Sequence, residues 1–230
     1  MKGFLTIVSV AMAAAALGSA APCVNGSLAS YIALGSGGCT IGSNTLFGFQ
    51  TVDGIVGATI IGTTNLAIAP FGGATNFGFT ATTTQTAGAG SLIESTFTYQ
   101  ISGNSYIRSS IALSGSSESG DGAVTDIQNY CAGGGFGPNG VTGCTGAPGT
   151  LVTLDGVQQT DLASFSGVSL LSVTDDFTLD GGLAGSAAGG SFTDQFTAQA
   201  AVSAVPEPFA FALTGLGLAV GMLLRRKTNE

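Results

Sequence analysis

The sequence predicts an all-β protein, an antiparallel β-sandwich of jelly-roll type, and three observations lead there. Apolar and polar residues alternate with period two in short runs, Gly-rich turn signals separate those runs, and helical patterning is almost absent between the two chain ends. The clearest run sets Ile93, Phe97, Tyr99 and Ile101 on one face and Glu94, Thr96, Thr98 and Gln100 on the other. A strand with one face on a core and one in water reads this way.

In chain order, a helical turn is expected near 27–34. Strands are expected at 46–52, 59–67, 77–84, 93–101, 106–113, 124–130, 151–154, 164–173 and 192–199. Reversals are expected at Asp53-Gly54, Ser102-Gly103-Asn104, Asp155-Gly156 and Asp180-Gly181-Gly182, because Gly supplies backbone freedom and Asp or Asn can hydrogen-bond a turning chain. Residues 132–149, with eight Gly and two Pro, and residues 181–190 are expected loops. Short strands at such intervals point to a sandwich, and no repeat period argues for a solenoid.

Without its two ends the chain keeps roughly 180 residues, the size of one domain and enough to bury a core. Apolar residues make up 44% of the chain, which argues against disorder. Of the five cations, Lys2, Arg225, Arg226 and Lys227 lie at the ends; the body keeps Arg108 against eleven carboxylates, the 13 less Glu207 and Glu230. That balance argues against a nucleic-acid partner, since phosphates need clustered Lys and Arg.

The first twenty residues have the order of a secretory signal peptide: Lys2, an uncharged run over 4–17, then Gly18-Ser19-Ala20-Ala21-Pro22. Gly18 and Ala20 supply the small residues that cleavage between Ala20 and Ala21 needs. Cutting after Ala21 would set Pro22 beside the scissile bond. Lipidation of Cys23 is not expected, because Pro22 precedes it and Ala20 stands three before it. Retention of the run as a membrane helix ranks below cleavage.

The other end reads Val205-Pro206-Glu207-Pro208, an uncharged stretch over 209–224, then Arg225-Arg226-Lys227. The prolines hold the motif extended and outside any helix. Sixteen residues of helix reach about 24 Å at 1.5 Å each, short of a bilayer core of about 30 Å, a deficit that snorkelling arginines can cover. The basic cluster stays cytoplasmic, which puts the body on the far side of the membrane. Gly217 and Gly221 have a spacing that lets two helices pack, a weak signal in a Gly-rich segment.

This three-part order at a chain end resembles the PEP-CTERM sorting signal of Gram-negative bacteria, and it stands together with the signal peptide such proteins carry. The resemblance implies an exosortase substrate, anchored in the inner membrane by the C-terminal helix until processed, then passed to the surface or outside. It also implies a host that makes exopolysaccharide, a candidate partner. The expected organisation is a signal peptide over 1–20, a β-sandwich ectodomain over 21–199, a linker over 200–204 and the sorting signal over 205–227. The resemblance covers only the tail and implies nothing about what the body does.

Four cysteines, Cys23, Cys39, Cys131 and Cys144, in an exported chain make disulfides the default. Three pairings exist. Cys23 with Cys39 and Cys131 with Cys144 are favoured, because both close short loops rich in Gly, Ser, Pro and Asn. A zinc site would need all four thiolates from distant loops, with no His in the chain.

The lack of His removes the commonest general base and every Ser-His-Asp or Cys-His arrangement. Among the acids, Asp175 and Asp176 are adjacent, and adjacent strand residues face opposite ways. Glu118, Asp121 and Asp126 cluster in sequence without the spacing of an EF-hand loop, which leaves calcium an open question. All are expected as surface charge rather than a glycosidase pair. There is no Trp to stack on sugars, and Tyr99 and Tyr106 fit a core. Gly133-Gly134-Gly135 lacks the Lys and helix of a phosphate loop. The expectation is a non-enzymatic structural or adhesive module with no catalytic residues, cofactor or metal; the alternative is a glycan-binding or glycan-cleaving sandwich.

Overall fold

The computed structural model describes residues 20–52 and 57–199, part of a compact unit that ends at Gln199. The expected signal peptide up to residue 19, the reversal at Asp53-Gly54, the linker and the sorting signal with its membrane helix lie outside the described residues.

The described chain is all-β and almost wholly antiparallel. Its elements are β1 (Gly26–Ser27), α1 (Leu28–Ile32), β2 (Cys39–Ile41), β3 (Asn44–Thr51), β4 (Thr59–Ile60), β5 (Ala67–Gly72), β6 (Asn76–Thr82), β7 (Thr86–Gly88) and β8 (Leu92–Ser114). There follow β9 (Ser117–Ser119), β10 (Ala123–Ala132), β11 (Ala147–Leu154), β12 (Thr160–Asp180), β13 (Ser186–Ala188) and β14 (Ser191–Ala198). The expected helical turn is α1, started by Ser27, whose side chain accepts the Ser30 N–H.

The main sheet runs β1-β5-β6-β14-β8-β12-β10-β11, with β3 and β4 also on β8 and β2 on β3. Two long strands, β8 and β12, are its spine. They pair from Leu92↔Asp180 to Ala112↔Thr160. The other edge of β8 is shared: its first half pairs with β3 and its second half with β14.

The spine is doubled over. Asp194 on β14 pairs with Ile111 of β8, yet its side chain meets Tyr99 of the same strand. Twelve residues of straight strand would part them by about 40 Å. The bend falls where β8 carries Gly103, at φ +146, and where β12 shifts register between Ser164 and Leu170. Ser102-Gly103-Asn104, expected as a reversal between two strands, is therefore a bend inside one.

Two layers result. The first holds β3, the first half of β8, the second half of β12, β10 and β11. The second holds β5, β6, β14 and the remaining halves of β8 and β12. Between them lies an aromatic core: Phe79 meets Tyr99 at 5.2 Å between ring centroids, Phe177 meets Phe192 at 5.1 Å, and Phe49 stacks on Tyr99 at 5.0 Å. Such offset and edge contacts add to the burial that drives the layers together. Tyr99 and Tyr106 are both core residues.

Other boundaries differ from expectation. The strand expected over 59–67 ends at Ile60; the chain turns with the Asn65 N–H on Gly62 O at 2.7 Å and resumes as β5. β5 carries Pro70, beyond the short stretch that β1 covers, where a missing N–H costs no ladder bond. The loop expected over 181–190 contains β13, which joins β7 and β9 in a separate three-stranded sheet. The disulfides are Cys23–Cys39 and Cys131–Cys144.

Candidate functional site

Two acids expected at the surface, Asp126 and Asp175, stand in the core, together with a third, Asp194. Asp126 alternates with Val124 and Gln128 on the inward face of β10, Asp175 lies between Val173 and Phe177 on β12, and Asp194 lies between Phe192 and Phe196 on β14. All three are completely buried. Register makes Gln128 and Asp175 cross-strand neighbours, and folding of the spine brings Asp194 down onto them from the other layer.

The donors are few. The Tyr99 hydroxyl donates to Asp194 Oδ2 at 2.7 Å, and the Gln128 amide donates to Asp175 Oδ1 at 3.3 Å while accepting from the Ser109 hydroxyl at 2.5 Å. Asp175 Oδ2, Asp194 Oδ1 and both Asp126 oxygens have no partner among the described residues. Arg108, the body's single cation, is exposed. Unpaired carboxylates in a medium of low dielectric neutralise by taking up protons. Burial, then the charge of Asp194, pushes Asp126 and Asp175 well up from the ordinary carboxyl value. Burial raises Asp194 to about 6, opposed by the neighbouring polar groups of Asp175, Tyr99 and Gln128. Burial thus favours the protonated form of these carboxyls. With no exposure, none of them can reach a substrate.

Asp176 points the other way from Asp175, as alternation requires. It pairs with Glu94 on the outer face of the first layer; burial and the Glu94 charge raise its pKa. Thr96 donates to Glu94 Oε1 at 2.6 Å and Thr178 to Asp176 Oδ1 at 3.1 Å.

Beside this pair lies a groove of about 250 Å³. Its floor is Thr98, Gln100 and Ser172 from the spine, one side is Gln50 of β3, and the other is the loop after β10. A bulge makes the space. The register slips between Phe47↔Gln100 and Gln50↔Thr98, and the extra residue, Gly48 at φ +67, lets Leu46 and Phe49 both face the core while Gln50 faces out. The loop lies on the face as a cover: Ser172 donates to Gly134 O at 2.9 Å, Thr174 donates to Gly140 O, and Cys131–Cys144 closes its base. Gln100 donates to Ser172 Oγ at 2.9 Å.

Of the residues expected to carry processing, the Val205, Pro206, Glu207, Pro208 motif and the Arg225, Arg226, Lys227 cluster lie outside the described residues. Ala20 and Ala21 lie within them, at the edge of β2: the Thr40 N–H bonds to Ala21 O at 2.8 Å, and the Cys23 N–H to Thr40 O at 2.9 Å. Asp121 ties down the Gly-rich turn after β12, its carboxylate accepting the Leu183 and Ala184 N–H groups at 2.8 and 3.0 Å. Those bonds lower its pKa.

Among the described residues no group of three or more Cys, Asp or Glu side chains is disposed to hold a metal ion, and no helix is long and apolar enough to cross a membrane. No protein-family model, curated protein or solved structure matches the chain.

Proposed function

We propose that this chain is an exported surface or matrix protein, structural or adhesive rather than enzymatic, sorted and processed by an exosortase. The observation that carries the reading is the tail: Val205-Pro206-Glu207-Pro208, a short apolar stretch, and Arg225-Arg226-Lys227, opposite a signal peptide at the other end. Two short-range disulfides in an all-β body are compatible with an oxidising compartment and support export. The doubled sheet is read as a jelly-roll sandwich whose acid cluster serves the fold. Protease shaving of intact host cells tests the reading. Release of peptides from 21–199 from intact cells is expected, and recovery of the protein only from the cytosol after lysis contradicts it.

A second reading, a glycan-binding module of the exopolysaccharide matrix, is favoured by the groove beneath the disulfide-closed loop. Its lining is uncharged and rich in amides and hydroxyls.

A further inference from the structure

The groove is specific enough to name its ligand class, and we propose that it holds one ring of a neutral polysaccharide. This rests on the glycan-binding reading and adds the site and the charge of the ligand; it is independent of how the tail is processed.

Polar groups there are left available. The Gln100 amide donates to Ser172 Oγ, while its Oε1 accepts from no group among the described residues. Gln50 is exposed, and its side chain has no hydrogen-bond partner among them. Each amide offers a donor and an acceptor at fixed separation, the complement of vicinal hydroxyls on a pyranose. Phe136 supplies the apolar part. It lines the groove, is half-buried and packs against no other aromatic among the described residues, and so offers apolar surface to the C–H side of a sugar.

Charge decides which sugars fit. No carboxylate or cation lines the groove, Asp176 and Glu94 lie on the same face, and the body carries Arg108 as its only cation. An anionic polysaccharide would be repelled and would find no counter-charge. An apolar ligand would strand the amides without partners. The volume of about 250 Å³, below the usual range for a drug-sized ligand, suits a single ring of a longer chain entering and leaving through the open mouth. Pinning by Cys131–Cys144 and by the Ser172 and Thr174 bonds holds Phe136 in place before the ligand arrives, which lowers the entropy cost of binding.

The test is calorimetric titration of the exported protein, disulfides intact, with cellohexaose, maltohexaose and xylohexaose, and with hexagalacturonate as the anionic counterpart. Saturable binding of at least one neutral hexaose and none of hexagalacturonate is expected. Gln100→Ala and Phe136→Ala should each weaken it by about fivefold or more, the worth of one hydrogen bond or one stacking contact. Gln50→Ala, at an exposed position, supplies the same reading if either variant fails to fold, and Gln195→Ala on the outer face of the second layer should bind as wild type. Neutral binding unchanged in every variant overturns this site but leaves glycan binding standing. No binding of any neutral hexaose overturns both, and equal binding of hexagalacturonate overturns the charge selection.

Discussion

Tyr99 and Asp194 meet across the middle of the molecule, the hydroxyl donating to Oδ2 at 2.7 Å with neither side chain exposed. They sit on different layers, so the bond joins the two halves of the doubled spine. It also favours the ionised carboxyl, against the burial that raises Asp194 to about 6. Tyr99→Phe keeps the ring among Phe49, Phe79 and Phe196 and removes only the donor. The expected loss is about 2 kcal/mol at pH 8 and about 1 kcal/mol at pH 4, where the acceptor is neutral. Urea unfolding at both values checks this; equal losses would contradict a bond to an ionised group.

Stability should fall as pH rises. Asp126, Asp175 and Asp194 all have folded-state pKa values above the unfolded ones, so the folded chain binds more protons. Their contribution is complete below about pH 4, the ordinary carboxyl range, and declines as pH climbs through about 6, where Asp194 titrates. The Asp194 shift alone corresponds to about 3 kcal/mol. Asp121, with its pKa lowered, acts in the opposite sense and only below that window. Thermal unfolding from pH 4 to pH 8 should give a falling midpoint, and Asp126→Asn should flatten the fall. A midpoint that rises toward pH 8 would show that the cluster is not proton-loaded.

The acid cluster was legible in principle. Each Asp stands two residues from apolar inward neighbours, Asp194 between Phe192 and Phe196 and Asp175 between Val173 and Phe177, so period two alone puts it inside. Expecting Asp126 and Asp175 as surface charge overrode that spacing, and Asp194 was not singled out. The all-β class, the inward Phe97 and Tyr99, and the favoured cysteine pairing were readable because they depend on local alternation and loop length. The bend at Gly103 was not: Ser102-Gly103-Asn104 has turn composition, and only the uninterrupted β12 alongside makes it a bend. β7, β9 and β13 are three-residue strands with little apolar side chain to alternate. The groove was hidden for a related reason, since it needs a bulge in β3 and a loop from beyond β10.

Gly48 should resist substitution. Its φ of +67 is the left-handed region, and the bulge it makes keeps Leu46 and Phe49 on one face. Gly48→Val is expected to cost about 2 kcal/mol or more, since a β-branched residue is strained there. It should also disturb the groove. Gly73→Val serves as the comparison, because no atom lies within 4 Å of a Cβ placed there and its φ is not positive. Chemical unfolding of the two variants separates the effects; equal losses would count against the bulge.

The two disulfides close loops of 16 and 13 residues by sequence separation. On the loop-entropy relation each is worth about 3 kcal/mol. Reduction should therefore lower the unfolding midpoint substantially, and the Cys131→Ser, Cys144→Ser double variant should also loosen the loop that carries Phe136. Limited proteolysis between Gly133 and Gly146 reads that loosening directly. Resistance equal to wild type would mean that the Ser172 and Thr174 bonds hold the loop unaided.

Processing at the two ends is the point on which the functional reading stands. Ala21 O is bonded to the Thr40 N–H and Cys23 is joined to Cys39, so the bond between Ala20 and Ala21 abuts folded structure and is best cut before folding. The most direct measurement is the intact mass of the protein recovered from a host with its exosortase and from the same host without it. The expected species from the complete host starts at Ala21, carries both disulfides and ends near the Val205–Pro208 motif, while the exosortase-lacking host retains the tail. A chain running through Glu230 in both hosts would contradict sorting and leave that segment, at most, an anchor.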